Sequence, residues 1–116
     1  MDIEIIREKT TPEKVREHAE ATFVDMVKVV VDIERGIMAI GGELHSDAEA
    51  VLLDDGSKQT DLWGANIIMD KPVGENIEYN SLINIRPSQG NRSRDIQDST
   101  IRCRVHSVLS QLTSIV

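Results

Sequence analysis

The chain has 116 residues and a net charge of -7, and its length fits a single globular domain spanning residues 1–116. A single cysteine, Cys103, excludes an internal disulfide, and the apolar runs are too short to cross a membrane. The acidic balance argues against nucleic-acid binding, because contact with the phosphate backbone needs a cationic surface. We therefore expect a cytoplasmic protein with neither a membrane nor a nucleic-acid partner.

The first part of the chain predicts a strand, a helix and a hairpin. Polar and apolar residues alternate near the N-terminus, as in a short strand. Thr10–Glu13 supplies a cap, a proline and an acidic first turn, so a helix should begin there and continue to about Met26. The β-branched and apolar residues of Lys28–Ile40 are interrupted by a turn containing Gly36, which is typical of two antiparallel strands.

The second part of the chain predicts a short helix, a second hairpin and a final helix. Ser46 and Glu49 have the spacing of a capping box, which would open a helix of about ten residues. The segments Leu62–Met69 and Ile77–Ile85 are rich in strand-forming residues and are separated by a turn. Asp98 can cap a C-terminal helix with a continuous apolar stripe.

These elements give the order β-α-β-β-α-β-β-α, which favours the α+β class. We expect a mainly antiparallel sheet of about five strands with helices on one face. Only three aromatic residues are present, so aliphatic side chains must form most of the core. Trp63 is interpreted as a core anchor, with a wall of a binding site as the alternative.

Three blocks of the sequence resemble a known family. They are Asp32–Asp47, Asp55–Gln59 leading into Leu62–Asn66, and Ile83–Asn91. The chain thereby resembles a family of small prokaryotic proteins known only as a domain of unknown function. The resemblance implies no activity, cofactor or catalytic residue.

An arginine-rich loop is the first candidate site. Residues 86–104 contain five arginines and two aspartates, a net charge of +3, whereas the remainder of the chain carries -10. Guanidinium and amide groups suit an anionic small molecule or a carboxylate. The expected binding residues are Arg86, Gln89, Asn91, Arg92 and Arg94. The alternative is that Arg86 pairs with a carboxylate such as Glu43 and that Asn91 closes a turn.

A histidine between two carboxylates is the second candidate site. Glu43, His45 and Asp47 alternate after a pair of glycines, and in an extended strand they would share one face. They could then perform acid-base catalysis on an anionic substrate held by the arginines. The alternative makes Asp47 a first-turn acid and His45 a polar surface residue, because Ser46 would cap a helix there.

The remaining candidates for chemistry are weaker. His18, His106 and Cys103 have no ligand partners at metal-binding spacing, so no metal site is expected. A protein interaction module is a third hypothesis, which a contiguous apolar patch would support. The cofactor, the substrate and the oligomeric state stay open.

Overall fold

The computed structural model describes residues 1–116, and its strands form one antiparallel sheet in the order β1-β3-β2-β4-β5. The elements in chain order are β1 (Glu4–Ile6), α1 (Pro12–Glu20), β2 (Met26–Asp32), β3 (Ile37–Ile40), α2 (His45–Asp54), β4 (Leu62–Ile68), β5 (Ile77–Glu78) and α3 (Ser99–Thr113). This arrangement confirms the α+β class and the predicted order of elements. No helix of the chain has the length and apolar character needed to cross a membrane.

The helices cover both faces of the sheet, where the sequence predicted helices on one face. Val29 and Val31 of β2 belong to the larger core, which α1 and α3 cover. Val30 points to the other side and packs with Ala48 and Leu52 of α2 in a smaller core. Neighbouring strand residues point to opposite faces, so the continuous valine run of β2 already indicates burial on both sides.

Helix α1 ends at Glu20, six residues before the predicted end. The Val24 N–H donates to the carbonyl of Ala19 at 2.7 Å, and Val24 has a φ of +72°, so the chain leaves the helix through a left-handed residue. Met26 then begins β2, which pairs along its length with β4. The apolar residues after Phe23 match a helical period, but their pairing with β4 places them in a strand.

The first hairpin and the final helix form as predicted. Asp32 Oδ1 accepts hydrogen bonds from the backbone N–H groups of Glu34 and Arg35, and Gly36 completes the turn with a φ of +69°. Asp98 Oδ1 accepts hydrogen bonds from the N–H groups of the first turn of α3. Both signals are local, so they were readable from the sequence.

Strand β5 is only two residues long, although the sequence predicted a strand over Ile77–Ile85. After Glu78 the chain turns, and Ser81 Oγ accepts a hydrogen bond from the N–H of Ile83 at the start of a single 3-10 turn, Leu82–Asn84. The outer edge of β4 is therefore paired with β5 only at Asn66 and Ile67.

Candidate functional site

A polar cleft of about 440 Å³ lies on the face of the sheet that α2 covers. Its floor contains Lys28, Asn66 and Glu78, which are register partners across β2, β4 and β5. They lie on the same face of the sheet as Val30 and Leu62. Those two apolar residues, further along β2 and β4, pack against α2. One end of this face thus supports the helix and the other end opens to solvent as a polar surface.

His45 is the first residue of α2 and forms part of the cleft wall. Its side chain is 6% exposed, and its Nε2 lies 2.8 Å from the carbonyl oxygen of Ala65. Because a carbonyl can only accept, Nε2 carries the proton and the neutral ring presents a lone pair at Nδ1. The side chain of Asn66 also contacts the imidazole ring and raises its pKa.

Burial keeps His45 neutral. Desolvation lowers the pKa of its imidazole from 6.5 to about 4, although the hydrogen bond to the Ala65 carbonyl opposes this shift. The positive charge of Lys28 lowers this pKa further. At neutral pH the ring is therefore an uncharged hydrogen-bond acceptor within the cleft.

Gly64 lets His45 and Ser81 approach the sheet closely. A Cβ atom at this position would lie 2.6 Å from Ser81 Cβ and 3.2 Å from His45 Cδ2. The absence of a side chain on this strand residue therefore leaves the space that both cleft residues occupy.

Lys28 and Arg94 bring two positive charges to the cleft, and neither takes part in an ion pair of the protein. Burial lowers the pKa of Lys28, and the charge of Arg94 lowers it further. The Arg94 backbone is fixed, because its carbonyl accepts hydrogen bonds from the Ser81 N–H at 3.1 Å and from Asn84 Nδ2 at 3.1 Å. Its side chain remains exposed.

The N-terminus of α2 also lines the cleft, and it lacks the predicted capping box. The helix begins at His45 with Leu44 as its N-cap residue, and no side chain accepts a hydrogen bond there. Ser46 lies inside the first turn and cannot serve as the cap. The N–H groups of His45 and Ser46 have no acceptor in the protein, so they remain free to bind an anion.

The family model described as "Protein of unknown function (DUF5674)" matches residues 4–112, nearly the whole chain. The chain belongs to the DUF5674 family. This confirms the resemblance seen in the sequence, and membership in DUF5674 carries no activity to transfer. Searches of curated proteins and of solved structures each found no match.

In this DUF5674 chain, Arg86 lies outside the cleft and has a structural environment. It is 8% exposed, its guanidinium Cζ lies 4.0 Å from the centroid of the Trp63 ring, and Trp63 itself is fully buried. Its terminal nitrogens donate to the carbonyls of Gln59 and Leu62 and, at 3.1 Å, to Gln89 Oε1. The cation thus holds the arginine loop against the start of β4.

Glu49 is the carboxylate whose negative charge affects the pKa of Arg86. The predicted partner, Glu43, forms no ion pair with Arg86. Burial lowers the pKa of Arg86, and the negative charge of Glu49 opposes that shift. Burial in turn raises the pKa of Glu49. Backbone carbonyls, which the sequence pattern does not reveal, are the main partners of the guanidinium.

Two buried asparagines order the remainder of the arginine loop. Asn91 Nδ2 donates to the carbonyls of Asn84 and Asp95 at 2.7 and 3.0 Å, and Asn91 Oδ1 accepts from the N–H of Gln97 at 2.9 Å. Asn84 was not predicted as important. Its side-chain amide accepts from the Gly64 N–H at 2.9 Å and donates to the Gly64 carbonyl at 3.0 Å.

Of the residues that the sequence placed in sites, only His45 and Arg94 line the cleft. Arg86 and Asn91 are committed to hydrogen bonds within the fold, Trp63 is in the core, and Arg92 is exposed outside the cleft. Gln89 Nε2 donates to the carbonyl of Thr60 at 3.0 Å. The proposed joint arginine site is therefore divided between two environments.

The predicted pair of His45 with Glu43 or Asp47 is not formed. Both carboxylates are exposed, neither is hydrogen-bonded to His45, and Asp47 is a first-turn acid of α2. The three side chains would share one face only in an extended strand, but a helix begins at His45. No group of three or more histidine, cysteine or acidic side chains is arranged to hold a metal ion.

Sequence reasoning missed Lys28, Asn66 and Ser81. Lys28 and Asn66 interrupt apolar strands with a polar residue on one face, which was a usable signal. Asn66 Nδ2 donates to the carbonyl of Asn80 at 3.2 Å, whereas its enclosed Oδ1 has no partner. Polar residues within strands that are otherwise buried mark this cleft.

Proposed function

We propose that this domain binds a small organic or inorganic monoanion in the polar cleft, through Lys28, Arg94 and the N-terminus of α2. The observation that carries the proposal is the presence of two cationic side chains without carboxylate partners beside free helix N–H groups. Charge-assisted hydrogen bonds from such donors are about twice as strong as neutral ones.

The charge and size of the cleft favour a small monoanion. Lys28 and Arg94 contribute two positive charges, Glu78 contributes one negative charge, and His45 is neutral, so the lining has a net charge of +1. A volume of about 440 Å³ lies within the range of small-molecule sites. Nucleic acid is a poor alternative, because the chain as a whole carries a charge of -7.

The test compares two neighbouring arginines by calorimetric titration of the domain with acetate and with inorganic phosphate near pH 7. We expect Arg94→Ala to weaken binding about tenfold or more, because a hydrogen bond to a charged group contributes about 1.5–3 kcal/mol. Arg92→Ala is the matched control and should leave binding unchanged, since Arg92 is exposed outside the cleft. Failure of the wild-type domain to bind either anion, or equal binding by Arg94→Ala, would contradict the proposal.

A second candidate function is acid-base catalysis on the bound anion by His45. The observation that favours it is a neutral imidazole that lines the same cleft. A neutral imidazole there can accept a proton from a substrate. Pyruvate in D₂O is a suitable first probe, because its methyl protons are acidic and their exchange is visible by NMR. Exchange above the buffer rate that His45→Gln abolishes supports this function, and no such exchange with bound pyruvate contradicts it.

A further inference from the structure

Two exposed leucines line the cleft beside its polar residues. Leu44 and Leu82 line the cleft and are 59% and 66% exposed, and Ile83 lies beside Leu82. Leu44 comes from the start of α2 and Leu82 from the 3-10 turn after β5, so different elements contribute the two leucines. A single exposed leucine is ordinary, but two around one cationic cleft form an apolar surface next to an anion site.

Leu44 stands at a position where leucine is unfavourable. N-cap positions prefer serine, threonine, aspartate or asparagine, whose oxygens accept the free N–H groups of the first turn. Here the N-cap residue contributes no side-chain acceptor, and its side chain is exposed to solvent. The position therefore combines free N–H donors with an exposed apolar side chain at the mouth of the cleft.

Two cationic side chains from outside α2 also line the cleft. Lys28 lies on β2 and Arg94 lies in the arginine loop, and neither takes part in an ion pair of the protein. The anion site is thus more than the end of a helix.

We infer that the ligand is a monocarboxylate with an apolar substituent, whose carboxylate meets Lys28, Arg94 and the α2 N–H groups while its apolar part contacts Leu44 and Leu82. This inference rests on the proposed function and adds the chemical class of the ligand. The net charge of +1 matches a single carboxylate better than a phosphate dianion. A free organic acid and the last residue of a peptide share this chemistry.

A series of carboxylates of increasing length tests the inference. Acetate, butyrate and hexanoate are titrated into the domain by calorimetry at constant ionic strength. We expect the affinity to rise about fourfold for each methylene that becomes buried, since a buried methylene contributes about 0.8 kcal/mol. In Leu82→Ser the rise with chain length should be smaller while acetate binding is retained. Leu53→Ser is the control, because Leu53 is an exposed leucine of α2 that does not line the cleft.

Each outcome separates this inference from the proposed function. Equal affinity for acetate and hexanoate, or an unchanged chain-length dependence in Leu82→Ser, overturns the apolar contact and leaves anion binding in place. Binding of phosphate without any carboxylate overturns the ligand class alone. No binding of any anion overturns both. N-acetyl-leucine and a tripeptide ending in leucine then distinguish the two sources, and binding of either supports the shared chemistry.

Discussion

Arg86 and Arg94 lie eight residues apart in one loop, yet their environments are opposite. Arg86 is 8% exposed, stacks on Trp63 and donates to backbone carbonyls, whereas Arg94 is exposed at the cleft and has no carboxylate partner. The difference arises from the strand beneath them. Arg86 faces the carbonyls of Gln59 and Leu62 at the start of β4, and Arg94 reaches the polar end of the same sheet. A cluster of like residues in sequence therefore does not define one site.

The largest effect should come from removing the buried member of this pair. Arg86→Met keeps much of the side-chain volume but removes the guanidinium that donates to the carbonyls of Gln59 and Leu62. We expect the free energy of unfolding to fall by about 3 kcal/mol, because the substitution breaks a buried network of charged hydrogen bonds. Urea unfolding monitored by circular dichroism measures this change, with Arg92→Met as the control. A loss below about 0.5 kcal/mol is typical of surface substitutions and would contradict a structural role for Arg86.

The cleft should differ from the arginine loop in its response to acid. The folded state lowers the pKa of His45 to about 4, so the unfolded chain binds the additional proton as pH falls below about 6.5. The stability contributed by the neutral imidazole is complete above that pH and is lost as pH falls through about 4. At pH 5 the loss should be about 2 kcal/mol.

Comparison with His45→Gln isolates this contribution from that of the carboxylates. The difference in unfolding free energy between wild type and variant is measured from pH 7.5 to 4.5. The wild type should lose stability relative to the variant as the pH falls. A difference that is constant with pH would show that His45 is readily protonated in the folded domain.

A smaller effect is expected at the N-terminus of α2. Leu44→Ser supplies an acceptor for the first-turn N–H groups and should stabilise the domain by about 1 kcal/mol. The same hydroxyl competes with an anion for those groups, so acetate binding should weaken. Thermal unfolding and acetate titration measure the two changes. Higher stability with unchanged acetate binding would exclude the helix N–H groups from the anion site.

The smallest effect on stability should come from the exposed arginines. Arg94→Ala and Arg92→Ala should each change the free energy of unfolding by less than about 0.5 kcal/mol, because neither side chain has a partner of opposite charge. The two variants then differ only in anion binding. Marked destabilisation by Arg94→Ala would place that side chain with Arg86 among the structural residues.

The parts of the fold that could be predicted from sequence depend on local signals. Gly36 at the hairpin and Asp98 at the final helix both act within four residues of their own positions. The role of Arg86 could not be predicted, because its partners are backbone atoms 24 and 27 residues away. The shortening of β5 has the same origin, since Asn84 binds the backbone of Gly64 where a longer strand would have paired.

The side chains of Asn84 and Arg86 also protect the outer edge of the sheet. From Leu62 to Ala65, strand β4 has no neighbouring strand on this side. Without the side chains of Asn84 and Arg86, the backbone of Gly64 and Leu62 would present unpaired groups. Such an edge is a template on which a strand of another molecule can add. The amide of Asn84 presents an N–H donor and a carbonyl acceptor to Gly64, as a peptide unit of a neighbouring strand would, so it occupies the place of that intruding strand. Loss of this amide would expose the domain to β-aggregation as well as to unfolding.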